Sequence, residues 1–168
     1  MKNNKGFTLI ELLVVIALLA VSIGVIGVSA SNSARNNLKK CIYAADSMLS
    51  RVRINSMHRA DPVFVEFAVE GGNIVAKYFE SDADGNSVMA DRQILGRADR
   101  ISVTPVIGGD ESSLPIVISF TRRGRLVLLE EEGDLDGILF SLGDDGLTYV
   151  IDVTPSTGNR QVRAGRLT

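Results

Sequence analysis

Residues 12–30 read LLVVIALLAVSIGVIGVSA, a run with no charge and with Ser22 and Ser29 as its only polar side chains. With residues 7–10 in front, it is long enough to cross a bilayer core, which takes about 20 residues at roughly 1.5 Å each. A surface helix of a soluble domain shows one apolar stripe, not apolarity all round. A buried core helix is therefore a poor account of it in so short a chain. A secretory signal peptide is a second account, with Lys2 and Lys5 as the basic flank and Val28-Ser29-Ala30 as a small-residue cleavage site that would free Ser31. Against it, the run exceeds the roughly 7–15 residues of an ordinary signal core, and Glu11 would lie inside it. A retained membrane helix explains the length but not the acid.

A carboxylate at the centre of a membrane helix costs about 2.5–3.5 kcal/mol, and less toward the interface. Glu11 can sit in the headgroup zone at little cost and with no role. The alternative starts from the order Gly6, Phe7, Thr8, Leu9, Ile10, Glu11. A cut after Gly6 would give Phe7 a free, positively charged amine one helical turn from Glu11. Before the cut that cation does not exist. Proteolysis would thus create a partner for the acid, on its own helix or a neighbouring one, and would gate side-by-side packing of such helices.

These residues resemble the class III signal of type IV prepilins and type II secretion pseudopilins: a short basic leader, Gly6, Phe7, Glu11 and an unbroken apolar run, all in register. The resemblance implies cleavage between Gly6 and Phe7 by prepilin peptidase, N-methylation of Phe7, and Glu11 as the assembly glutamate. It also implies a cytoplasmic leader, an anchor in the plasma (inner) membrane, a domain on the outer side and an extracytoplasmic fibre after assembly. Implied partners are the peptidase, other pilins or pseudopilins met through the helix, lipid before assembly, and the assembly platform with its ATPase. Counting positive charges does not orient the chain, because Lys2 and Lys5 are nearly balanced by Arg35, Lys39 and Lys40 on the far flank.

Beyond residue 30 the helical pattern continues as one stripe, Leu38, Ile42, Ala45, Leu49 and Val52, widened by Cys41 and Met48. Asp61-Pro62 supplies a stop, so the helix is expected to end near Arg59. The period then changes. Strands are expected over 63–69, 73–79, 100–106, 116–121, 125–129, 137–142 and 147–153, the first two joined through Gly71-Gly72. The expected fold is α+β and pilin-like: a leader (1–6), a membrane-spanning and assembly helix (7–30), its amphipathic continuation (31–61), and antiparallel sheets (62–168) packed on the helix. The stretch from Ile118 to Arg125 and that from Ile151 to Gly158 resemble the GspH/FimT-type minor pseudopilin domain, which serves type II secretion pseudopili and type IV pili. That group usually has Gly-Arg after its last strand, whereas here Asn159 separates Gly158 from Arg160.

Charge and composition narrow the chemistry. The 168 residues carry 18 bases and 20 acids, so no large positive field exists to hold nucleic acid over the whole surface. One cysteine excludes an internal disulfide, and one histidine removes most metal and acid–base schemes. From Leu126 to Asn159 there are eight acids and no base, read as solvated loops and turns; Arg160, Arg163 and Arg166 then follow without an acid. The plain reading of those arginines is a polar tail. The functional one is a DNA contact for uptake, as the FimT-like resemblance implies, which would be weak and strongly salt-dependent. Asp82, Asp84 and Asn86 imitate a calcium loop, but Gly85 is out of place and Gln93 stands where the bidentate acid belongs. Cys41 and His58 lie 17 residues apart on the expected helix, too far for a nucleophile–base pair. The expectation is a non-catalytic subunit with no cofactor and no metal. Its cargo, whether secreted protein or DNA, stays open.

Overall fold

A computed structural model describes residues 9–143 and 146–165, except for the side chains of residues 21–32. Two compact units divide the chain, Met1–Asn36 and Asn37–Thr168. One helix, α1 (Leu9–His58), begins in the first and supplies the packing face of the second. Among the described residues no helix is long and apolar enough to cross a membrane. Part of the expected span, the side chains of 21–32, lies outside the described residues, as does the leader.

In the second unit the helix buries Leu38, Cys41, Ile42, Ala45, Met48, Leu49 and Val52, the spacing of a single 3.6-period face, and Ser56 continues it. The strands are β1 (Phe64–Glu70), β2 (Asn73–Ser81), β3 (Ser87–Arg97), β4 (Ile101–Ile107), β5 (Asp110–Glu111), β6 (Ile116–Phe120), β7 (Leu126–Leu128), β8 (Leu135–Leu142), β9 (Leu147–Thr154) and β10 (Asn159–Ala164). They form two antiparallel sheets, ordered β3-β2-β1-β6-β7 and β10-β9-β8-β4-β5. The fold is therefore α+β, as the sequence indicates.

Alternation along each strand sends one set of side chains inward. Val65, Phe67, Ile74, Tyr78, Ile116 and Ile118 come from the first sheet, and Ile101, Val103, Ile138, Phe140, Ile151 and Val153 from the second; all are buried. The sheets are stitched where Leu126 N–H donates to Pro155 O (3.1 Å), while Gly108 N–H to Asp134 O (3.0 Å) extends the β4–β8 pairing within the second sheet. The β1–β2 hairpin turns on Gly71 and Gly72, both in the left-handed region (φ 55° and 75°), which suits a two-residue loop.

Three strands were not expected from the pattern: β3, the two-residue β5, and β10. β3 is an edge strand whose residues 87–94 are all exposed, so it lacks the alternation that marks a half-buried strand. β10 replaces the expected polar tail: residues 159–164 pair in register with β9, from Asn159↔Thr154 to Ala164↔Tyr149. Its partner strand and the helix order it, not its own weakly apolar sequence.

Candidate functional site

The processing residues Gly6 and Phe7 lie outside the described residues. Glu11 occupies the first turn of α1, beside Ile10, Val14 and Val15 in a shallow surface hollow. Leu9, Ile10, Leu12, Leu13, Val14, Val15, Ile16, Leu18 and Leu19 are all exposed within this unit. So long an apolar surface is left for lipid or for other helices to cover.

Of the candidate DNA-contact arginines, the two described, Arg160 and Arg163, are not brought together. Arg160 and Arg163 are three apart on β10, so they project from opposite faces. Arg160 turns inward and is only 7% exposed. Its Nε donates to Asp46 Oδ1 (2.9 Å), its Nη2 to Ser50 Oγ (2.7 Å) and its Nη1 to Gly158 O (3.4 Å). The guanidinium lies 5.6 Å from the centre of the Phe120 ring. Arg163 faces out and donates to Asp152 Oδ2 (2.9 Å). Arg166 lies outside the described residues.

Arg160 is thus one half of a clamp between α1 and the second sheet, which sequence reading missed. The available signal was Asp46, Ser50 and Arg53, spaced by four and three along one helical face. Arg53 completes the seam by donating from Nη2 to Thr157 O (2.9 Å) and Asn159 Oδ1 (3.3 Å). Beneath it, Gly158 (φ 64°) packs so closely that a Cβ would meet Gly124 O at 2.0 Å. On its other side the helix meets the first sheet. Asn55 Nδ2 donates to Tyr78 OH (2.6 Å), Arg51 pairs with Asp91 (2.5 Å) and stacks 4.2 Å over the Tyr78 ring, and Arg59 pairs with Glu80.

The remaining candidates have local explanations. Asp82 closes the β2–β3 turn, accepting from the N–H groups of Asp84 (2.9 Å) and Asn86 (2.8 Å), and these bonds help hold its carboxyl below the usual range. Cys41 is fully buried, and burial pushes its thiol up to about 12. His58 is exposed in the last turn of the helix. Burial of one and exposure of the other leave the two with no shared chemistry.

No curated protein and no solved structure matches the chain. Residues 1–27 match the family described as "Prokaryotic N-terminal methylation motif". That match supports a type IV prepilin-like protein, a precursor of the kind that prepilin peptidase processes.

Proposed function

We propose that this chain is a non-catalytic minor pilin or pseudopilin subunit of the GspH/FimT type. Prepilin peptidase cuts between Gly6 and Phe7, and Phe7 becomes N-methylated. The apolar helix holds the subunit in the inner membrane as a single pass, and Glu11 then engages a terminal amine as the helix joins a bundle of other pilin helices. The platform and its ATPase drive that step, and the sheet domain decorates or caps the fibre. The observation that carries this reading is the methylation motif running directly into a helix with an uncovered apolar surface.

Mass spectrometry of the mature chain tests it: N-methyl-Phe7 at the terminus is expected, and Ser31 there would instead mark a secreted domain. Glu11→Val should be cut normally yet fail to enter fibres; normal incorporation would refute the amine–carboxylate step. The DNA-uptake alternative rests on Arg160, Arg163 and Arg166. With Arg160 spent on Asp46 and Arg163 on Asp152, it has less free charge to draw on. A low-salt gel shift with the intact chain decides it, absence of any shift removing the option.

A further inference from the structure

The outward face of the second sheet carries a hollow of about 540 Å³, inside the size range of specific binding sites. Val106 and Leu139 give it an apolar lining, Thr104, Ser141 and Thr148 give hydroxyls, and Glu111 gives a carboxylate. More acid surrounds that edge. The Asp136 carboxylate accepts from Gly109 N–H (2.7 Å), Glu131 accepts from the Ser112 hydroxyl (3.3 Å), and Asp110 is exposed next to Glu111. Among the described residues no base lines the hollow, and Arg163 on that face is engaged by Asp152. This is a site for a cationic, partly aliphatic group.

The same chain displays such a group elsewhere. Arg122 and Arg123 are exposed at the tip of the β6–β7 hairpin and take part in no ion pair among the described residues. Their turn is stiff: Thr121 N–H donates to Arg125 O (2.8 Å) and Gly124 N–H to Thr121 O (2.8 Å). Gly124 (φ 81°) also sits against Arg53 and Met57 of α1, so the tip is held beside the helix rather than over the second sheet's outer face. A preorganised tip loses little freedom when it docks.

We propose that the hollow receives the Arg122–Arg123 turn of a second copy of this chain. Knob and hollow lie on different surfaces, so the contact is heterologous: it propagates from copy to copy and does not close as a two-fold pair. This suits a fibre subunit and rests on that reading. The guanidinium groups meet Glu111 and its neighbouring acids, while their methylene stems cover Val106 and Leu139.

The test uses two differently tagged forms of the full chain, co-expressed and purified in detergent, one with Arg123→Cys and the other with Thr148→Cys. Cys41 is fully buried and does not compete. Mild oxidation should give a disulfide-linked dimer only when both forms are present. Adding Arg122→Glu to the first form should cut the yield about tenfold, and Glu111→Arg in the second should restore it. A dimer from either form alone, or no dimer from the pair, overturns the proposal. The amino terminus is read by mass spectrometry in the same preparations. An uncut terminus counts against the pilin reading, whereas a cut and methylated chain without the cross-link counts against the docking contact alone.

Discussion

Replacing Arg160 by Ala removes three hydrogen bonds, one of them the ion pair with Asp46, and the cation facing Phe120 at the seam between α1 and β10. Breaking a fully buried ion pair costs about 3–5 kcal/mol, chiefly because the stranded charge is left without water. Here the stranded group is Asp46, whose side chain is 31% exposed and can rehydrate in part. The expected loss is therefore about 2–3 kcal/mol. For a unit of this size each kcal/mol lowers Tm by roughly 3–5 °C, so the variant should melt about 6–15 °C early. Far-UV circular dichroism of the full chain in detergent, read at the β-sheet minimum, measures it. Arg163→Ala is the control: its more exposed pair with Asp152 should be worth no more than about 1 kcal/mol. A cycle with Asp46→Asn should show a coupling of about 1–2 kcal/mol. Melting of Arg160→Ala within about 2 °C of the parent, or a coupling near zero, would refute the clamp.

Gly158→Ala should cost more than about 3 kcal/mol in urea unfolding, because it adds a left-handed alanine and a clash with Gly124 O. Gly85→Ala, also at positive φ but facing open space, should cost only about 1–2 kcal/mol, and equal losses would refute the close-packing argument. Cys41 should resist iodoacetamide at pH 8 in the native chain and react once urea opens the helix–sheet seam; rapid native labelling would contradict its burial. Acid should destabilise the domain. Hydrogen bonds from Lys77 and Arg59 hold the Glu70 and Glu80 carboxyls below their usual range, so the unfolded chain binds protons more tightly than the folded one. Tm should be level above about pH 5 and fall below about pH 4, and a Tm that rises on acidification would sink the assignment.

The helical stripe was legible because burial on α1 has one cause, a single face against the sheets, and that cause writes its period into Leu38, Ile42, Ala45, Leu49 and Val52. The central strands were legible for the same reason, with alternation visible from Val63 onward. β3 was not, since an edge strand exposed over residues 87–94 gives selection no inner face to mark. β10 was hidden differently: Arg160 is as buried as many core side chains, yet its type reads as solvent-facing. A buried arginine shows in sequence only together with its acceptor, and Asp46 lies 114 residues away. The methylation motif over residues 1–27 was legible because it is local and linear, whereas the docking contact depends on surfaces that only the fold assembles.

The uncovered β3 ribbon has a consequence wherever copies of this chain are crowded together. A strand with one free flank invites a neighbour's strand to add to it, and Val88, Met89 and Ile94 would reward the addition. Asp91 and Arg92 stand in the middle of that flank, tied back to Arg51 and Glu70, so an incoming chain must bury charges already committed elsewhere. The ribbon stays open without becoming adhesive, and neutralising those two residues is the shortest route from an orderly subunit to a clumped one.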